Sequence, residues 1–225
     1  MSKQIFDYFK GSKNPVNAIK SIHFDSAFYQ NNPDFFHPDG IIVFTGPQGS
    51  GKTLSACKMV KRLAADYPKS IVCSNLEIKG CPVPVIPFED YEQIKELSNQ
   101  EKGIIFLIDE IHVLWNSLES KNVPISEMAV FAQMRKARRI IIGTSQVYGR
   151  IAKPIREQLK YAVRCRTLLK YLQINQIIDP NGEKCKGEKD GELDGEIVHT
   201  EWFFHRPEDY QSYNTFTKIE RFSRK

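Results

Sequence analysis

The sequence predicts an α/β fold in which a mostly parallel sheet is flanked by helices and followed by a small C-terminal β extension. Apolar, β-branched runs alternate with segments of helical spacing through the middle of the chain, which is the pattern of a parallel sheet with helices on both faces. A glycine-rich loop joins the first apolar run to the first helical segment, and two later runs end in polar residues. In open parallel sheets, ligands bind at such strand ends.

The spacing of apolar side chains places the individual elements. Short apolar runs, typical of buried parallel strands, predict strands at 41–45, 70–74, 103–108 and 139–144. Helical spacing predicts helices at 52–66, 88–98 and 126–137. Two further strands are expected at 171–178 and 196–204. The loop between them, at 183–195, is rich in Gly, Lys, Glu and Asp, so we expect a mobile, solvated connection with no chemistry of its own.

A chain of 225 residues is expected to hold one domain with appendages. We expect an N-terminal extension at 1–40, the core at 41–170, and a C-terminal β-hairpin-like extension and tail at 171–225. The five cysteines include no C-x-x-C pair, which favours reduced thiols in a cytoplasmic protein over a metal site or disulfides. No apolar run approaches the roughly 18 residues of a membrane span, so no membrane span of its own is expected.

Residues 46–53 read Gly-Pro-Gln-Gly-Ser-Gly-Lys-Thr, which matches the phosphate-binding loop G-x-x-x-x-G-K-[ST] in full. The loop lies between a predicted strand and a predicted helix, where its N–H groups and the helix N-terminus favour phosphate. This predicts that ATP and Mg²⁺ are the cofactors. Lys52 would contact the β- and γ-phosphates, and the Thr53 hydroxyl would ligate Mg²⁺. The residues expected to bind the nucleotide are Gly46, Pro47, Gln48, Gly49, Ser50, Gly51, Lys52, Thr53 and Leu54.

Two carboxylates, Asp109 and Glu110, follow the apolar strand predicted at 103–108. This is the Walker B pattern, in which Asp109 would hold Mg²⁺ and Glu110 would act as general base on the attacking water. A solvated acidic pair at a strand end is the alternative, and the glycine loop upstream favours the catalytic interpretation. Glu110 also favours hydrolysis over phosphoryl transfer to a small molecule.

The strand predicted at 139–144 also ends in polar residues, Thr144-Ser145-Gln146. A Thr or Gln at this position would be placed to sense the γ-phosphate or to orient the attacking water. The alternative is a strand that runs into a capped turn. The order of glycine loop, carboxylate strand and polar-tipped strand favours the functional interpretation.

Residues 109–115, the Met134-Arg135-Lys136 segment and residues 141–146 resemble the zonular occludens toxin-like ATPases. These include the filamentous-phage gene I assembly protein and belong to the FtsK/HerA group of P-loop motors. Ser74-Asn75-Leu76 and Tyr213-Asn214-Thr215 are also similar. The resemblance covers about residues 40–170. It implies a RecA-like sheet whose Walker B strand is not adjacent to the P-loop strand, Gln146 as phosphate sensor, and a homo-oligomeric ring.

Motors of this group commonly receive an arginine from the neighbouring subunit. No arginine lies near the glycine loop in sequence, and Arg135 and Arg156 are the candidates for that catalytic role. The segment 135–170 also has a single acid, Glu157, and could contact the phosphate backbone of DNA. Its eleven basic residues are Arg135, Lys136, Arg138, Arg139, Arg150, Lys153, Arg156, Lys160, Arg164, Arg166 and Lys170.

The resemblance therefore favours an ATP-hydrolysing motor for nucleic-acid translocation, in phage or mobile-element DNA packaging or virion assembly. Phage assembly proteins of the family usually continue into a membrane span and an external domain, and the sequence shows neither. This leaves packaging in the host cytoplasm, or a motor that uses a phage structural or membrane partner. A small-molecule kinase and a non-hydrolysing, nucleotide-gated assembly scaffold are the alternatives.

Overall fold

The computed structural model describes residues 32, 35–118, 124–182, 185–189 and 191–214. The predicted extension at 1–40 lies outside the described residues apart from Asn32 and residues 35–40, as does the tail after residue 214. Within the described part of the chain, no helix has the length and apolar character needed to span a membrane.

The described residues form strands and helices that alternate through the core. The strands are β1 Gly40–Thr45, β2 Ile71–Ser74, β3 Glu77–Ile78, β4 Val85–Pro87, β5 Ile104–Ile108, β6 Arg139–Ser145, β7 Leu159–Leu168, β8 Leu172–Ile178, β9 Gly187–Lys189, β10 Glu192–Asp194, β11 Ile197–Phe204 and β12 Tyr213–Asn214. The α-helices are α1 Lys52–Asp66, α2 Glu92–Glu96, α3 Ile125–Ala132, α4 Lys153–Arg156 and α5 Pro207–Tyr210. Single 3₁₀ turns lie at Gln100–Lys102, Ile111–Val113 and Tyr148–Arg150.

Two helices are shorter than the sequence predicts. The helix expected at 88–98 is only α2, because the Asp90 carboxylate accepts the Gln93 N–H and the backbone becomes extended at Leu97. The helix expected at 126–137 ends at Ala132, and turns lead from there to the start of β6. The bounds of α1 agree with the prediction.

Eight strands form one sheet in the order β11-β8-β7-β1-β6-β5-β2-β4. From β4 to β7 all neighbours are parallel, whereas β7–β8 and β8–β11 are antiparallel. This confirms the mostly parallel sheet and the C-terminal β extension. Strand β6 separates β5 from β1, so the Walker B strand is not adjacent to the P-loop strand, as the resemblance implies. Strands β1, β5 and β6 end on the same side of the sheet, here called the carboxyl side.

Both faces of the sheet are covered. On one face, α1 packs Ala56, Val60 and Leu63 against apolar residues of the central strands. On the opposite face, residues that include Trp115 and Phe131 lie against Val43 and Phe106. Because the central strands are buried on both faces, their apolar runs are continuous in sequence.

Strand β7 was not expected from the sequence, although it pairs directly with β1. Val163 and Cys165 are buried on the α1 face, whereas Arg164 and Arg166 alternate with them and bind Glu192. Arg164 and Arg166 interrupt the apolar run of β7, because they lie on the face opposite α1, where acidic residues cover them. Periodicity alone therefore does not mark β7 as a central strand.

The prediction of a solvated loop at 183–195 is wrong for its described residues. Strands β9 and β10 form an antiparallel hairpin, and Leu193 is buried in the core. Glu188 lies 2.7 Å from Arg156, and Glu192 lies 2.9 Å from Arg164. Glu188 and Glu192 are thus paired with basic residues of α4 and β7.

Candidate functional site

The glycine loop connects β1 to α1 on the carboxyl side of the sheet, and three of its glycines adopt positive φ angles. The φ angles are 145° at Gly46, 78° at Gly49 and 79° at Gly51. These values favour glycine, because side chains are strained in this region. A Cβ atom at Gly46 would also lie 2.7 Å from the Cys165 carbonyl oxygen. The loop glycines are therefore required by local geometry, and the loop has the shape that its sequence predicts.

Lys52 lies at the first position of α1, and its side chain folds back over the loop. Its Nζ donates to the Pro47 carbonyl oxygen at 3.0 Å, and the residue is buried. A buried ammonium group requires an oxygen partner. The loop thus holds one cation at its centre, where phosphate oxygens could replace the Pro47 carbonyl as partner.

Asp109 lies next to the start of α1, as the sequence predicts. The Thr53 hydroxyl donates to Asp109 Oδ1 at 3.0 Å. The backbone at Asp109 is held by Asn75, which accepts the Asp109 N–H at 2.8 Å and donates its amide to the Asp109 carbonyl at 3.0 Å. Sequence analysis assigned Asn75 no role. Asn75 directly follows β2, and β2 is the neighbour of β5. This position was the sequence signal that could have predicted its contact with Asp109.

Glu110 has a φ angle of 53°, in the left-handed region that non-glycine residues adopt at a cost. Its N–H donates to Thr144 Oγ1 at 2.9 Å, and the same hydroxyl donates to Asp109 Oδ1 at 2.7 Å. Thr144 therefore fixes the turn that carries both acids. Of the polar residues at the end of β6 and just after it, the structure joins Thr144 to the carboxylates, whereas Gln146 is exposed.

His112 contacts the side chain of Glu110, a feature that sequence analysis missed. Glu110 Oε2 lies 3.2 Å from His112 Nδ1, and Ser145 Oγ lies 3.2 Å from the same nitrogen. Burial lowers the pKa of His112, while the Glu110 carboxylate acts in the opposite direction. Neutral His112 is therefore favoured at neutral pH. The 3₁₀ turn Ile111–Val113 places this ring beside Glu110, so the spacing of the two residues was the signal.

The antiparallel strand β8 also contributes to the site. Gln173 is fully buried and donates its Nε2 to the Ser50 carbonyl at 3.0 Å. Asn175, also buried, accepts the Ser55 hydroxyl at 3.1 Å. The sequence signal for this contribution was the pair of polar residues at alternate positions of the strand, on one buried face. The signal was overlooked because β8 was assigned to an extension.

The two candidate arginines lie in different environments. Arg135 is exposed in the turns before β6, on the side opposite the carboxyl side. Arg156 ends α4, where its guanidinium pairs with Glu188 at 2.7 Å and lies 5.4 Å from the Tyr148 ring centre. Within the described residues, neither arginine contacts the P-loop of its own chain.

The basic segment does not form one stripe. Arg139 is buried and donates to carbonyls at the end of α2, and Arg138 lies over the Phe35 ring. Lys160 pairs with Asp39 at the amino end of β7. Three basic residues lie exposed on the carboxyl side, in the turn after β6 and at the end of β7: Arg150, Arg166 and Lys170.

A glycine loop with a buried lysine, joined through Thr53 to an acid after a non-adjacent parallel strand, defines a P-loop NTPase. The family model for the ATPase family associated with various cellular activities (AAA) matches residues 42–167. The chain belongs to this family and is a P-loop ATPase. A search of curated proteins gives no significant match.

The first two of the following solved structures confirm the RecA-like fold. The N-terminal domain of zonular occludens toxin from Neisseria meningitidis is 16% identical, with a TM-score of 0.51 over 78% of this chain and 99% of that chain. The ATPase domain of G40P is 11% identical, with a TM-score of 0.54 over 90% of this chain and 99% of that chain. The genome packaging NTPase B204 from Sulfolobus turreted icosahedral virus 2 is 16% identical, with a TM-score of 0.49 over 76% and 98% of the chains.

Proposed function

We propose that this ATPase is a nucleic-acid translocation motor that acts as a homo-oligomeric ring in phage or mobile-element DNA packaging or virion assembly. The observation that carries the catalytic part is the Thr53–Asp109–Thr144 cluster beside Glu110. It supports Glu110 as the general base, because it holds the adjacent Asp109 against Thr53 at the end of the phosphate loop, and hydrolysis by water requires such a base.

In this proposal, Lys52 and the loop N–H groups bind the phosphates of ATP, from Gly46 through Leu54. The oxygen atoms of Thr53 and Asp109 fit Mg²⁺, because this ion prefers hard oxygen ligands and the two atoms already meet at 3.0 Å. Bound Mg²⁺ would neutralise charge on the phosphate oxygens.

Glu110 is proposed as the residue that accepts a proton from the attacking water. Its carboxylate is only partly exposed, and its backbone N–H is held by Thr144, so the turn that carries it is positioned before substrate binds. Gln146, two residues beyond Thr144, is proposed as the phosphate sensor. Its exposed position leaves it available to a nucleotide or to a neighbouring subunit.

Exposed charge on the carboxyl side supports nucleic acid as the substrate. Arg150, Arg166 and Lys170 lie exposed there, and Arg150 is close enough to His112 to lower the pKa of its imidazole. Glu192 lies 2.9 Å from Arg164 and 3.6 Å from Arg166, so one carboxylate serves two guanidinium groups. Around Glu192 the two guanidinium groups therefore outnumber the one carboxylate, and this excess of positive charge suits contact with a phosphate backbone without sequence readout.

The proposal is tested by ATP hydrolysis with and without DNA, followed by DNA binding at several salt concentrations. A motor should hydrolyse ATP steadily and faster with DNA. Turnover only with a small phosphate acceptor would identify a kinase instead, and binding without turnover would identify a scaffold.

Two matched triple variants locate the DNA-binding surface. Replacing Arg150, Arg166 and Lys170 by Ala should weaken binding and reduce the slope of log affinity against log salt by about 0.9 per lost phosphate contact on duplex DNA. The control replaces Lys69, Lys102 and Lys136, which are exposed on the opposite side, and removes the same charge. Equal losses in the two variants would contradict a specific surface on the carboxyl side.

A further inference from the structure

Gln173 is a polar side chain in the interior, 123 residues from Ser50 in sequence, and its amide contacts the phosphate loop. It lies on β8, outside the parallel part of the sheet. Its Nε2 group donates to the Ser50 carbonyl at 3.0 Å and to Asn175 Oδ1 at 2.9 Å. The burial of a flexible polar side chain costs free energy unless all its hydrogen bonds are made.

The Gln173 amide has a full set of partners. Its Oε1 accepts the Thr167 hydroxyl at 2.9 Å and lies 3.1 Å from His205 Nε2. An amide has two N–H donors and two acceptor sites, and all four are used when His205 carries its proton on Nε2. The orientation of the amide is therefore fixed, since reversing it would place the NH₂ group against the Thr167 hydroxyl and the amide oxygen against the Ser50 carbonyl.

The loop is shaped to accept this side chain. A Cβ atom at Gly51 would lie 2.0 Å from Gln173 Oε1, closer than any atoms can pack. Gly51 has a φ angle of 79° and directly precedes α1. The glycine thus permits both the turn of the loop and the approach of Gln173.

We propose that Gln173 is a positioning residue for ATP binding, acting through the peptide that joins Ser50 to Gly51. In a trans peptide, the C=O and N–H groups point in opposite directions. Holding the Ser50 carbonyl toward β8 therefore points the Gly51 N–H away from β8. This inference rests on the proposed role of the loop, in which backbone N–H groups bind the phosphates.

The other Gln173 contacts extend this positioning to the C-terminal segment. His205 follows β11, and its Nδ1 lies 2.6 Å from the Tyr210 hydroxyl in α5. Thr167 lies near the end of β7. Gln173 thus connects the phosphate loop to β7 and to the segment after β11, none of which adjoins the loop in sequence.

The primary test replaces Gln173 by Met, which is similar in size and lacks both amide groups. We expect the Kd for a fluorescent ATP analogue and the KM for ATP to rise by about tenfold, the effect of losing a buried hydrogen bond. The kcat should stay close to that of the wild type, because Gln173 touches no reacting group.

Gln176→Met is the matched control, because Gln176 lies on the same strand as Gln173 but on the opposite face of the sheet. It should leave both constants unchanged. A Gln173→Met variant with the Kd of this control would overturn the proposal. A lower kcat with unchanged KM would also overturn it, since that result indicates a reduced folded fraction and no change in the loop.

Thr167→Val provides a second test, which remains available if Gln173→Met does not fold. It removes one of the two donors to Gln173 Oε1 and leaves the Ser50 contact in place, so the Kd should rise by about two- to threefold. An unchanged Kd would overturn the proposal. Lys52→Ala separates the positioning role from the assignment of the loop as the ATP site. If Lys52→Ala binds ATP with wild-type affinity, the loop is not the ATP site. If Lys52→Ala loses affinity for ATP while Gln173→Met keeps it, only the positioning role of Gln173 is wrong.

Discussion

The Thr144 hydroxyl donates to Asp109 Oδ1 at 2.7 Å across the β5–β6 pair. The same oxygen accepts the Glu110 N–H at 2.9 Å. One side chain therefore fixes the carboxylate that would hold the metal ion and the backbone of the proposed general base. Because the bond crosses between neighbouring parallel strands, it exists only when the sheet is formed.

Thr144→Val should lower turnover and stability together, while Thr144→Ser should behave like the wild type. Valine keeps the shape but leaves the Glu110 N–H without its partner, which costs about 1–3 kcal/mol of unfolding free energy. Denaturant unfolding and steady-state ATP hydrolysis measure the two effects. Equal hydrolysis by the Val and Ser variants would show that the hydroxyl does not orient the acids.

Lys52→Ala should abolish tight ATP binding or turnover. The ammonium group that now donates to Pro47 is the cation that the loop offers to the phosphates, and its effect is greatest as charge develops on the γ-phosphate. Binding of a fluorescent ATP analogue and hydrolysis are the measurements. Lys61→Ala, in the same helix α1, is the control and should have little effect.

Glu110→Gln should bind ATP but fail to hydrolyse it, because the amide keeps the shape of the side chain and cannot accept the proton. A pre-steady-state assay that separates binding from product formation tests this. Glu157→Gln, at an exposed residue paired with Lys153, serves as the control. Wild-type turnover in Glu110→Gln would remove Glu110 from its proposed role.

Hydrolysis should depend on oligomerisation if an arginine acts on the neighbouring subunit. Arg135 is exposed and Arg156 is held by Glu188, and if either supplies the trans-acting group, its replacement by Ala should lower turnover by about 10³-fold. Lys136→Ala is the control for charge. Specific activity that stays constant over a wide dilution, in a verified monomer, would contradict a trans-acting arginine.

His112 should make the folded state less stable as the pH falls. Its pKa is lowered in the folded protein, so the unfolded chain, with a histidine pKa of about 6.5, binds the proton more readily. The stability that neutral His112 contributes is therefore complete above that pKa and declines as the pH falls through it. Replacing His112 by Gln should flatten the decline in unfolding free energy between pH 7.5 and 5.

The control for this prediction is His199→Gln, a histidine on the exposed part of β11. Comparing the slopes of unfolding free energy against pH removes any constant effect of the substitution itself. If the His112 and His199 variants have the same slope as the wild type, another group governs the decline.

The sequence alone determined the features that depend on neighbouring residues. The glycine loop, the helix at Lys52–Asp66 and the acids after β5 were all predicted, because glycine conformation and apolar periodicity act within a few residues. The short Walker B run and the polar end of β6 also predicted that Asp109 and Thr144 lie at the carboxyl ends of strands.

Only the tertiary structure decided which distant side chains complete the site. Gln173 meets Ser50 across 123 residues, and Asn75 meets Asp109 across 34. Arg164 belongs to a strand beside β1 because Glu192 covers its side chain, a pairing that no local pattern encodes. These contacts result from the order of strands in the sheet, which depends on the burial of both faces of the whole sheet and not on the conformation of any one segment.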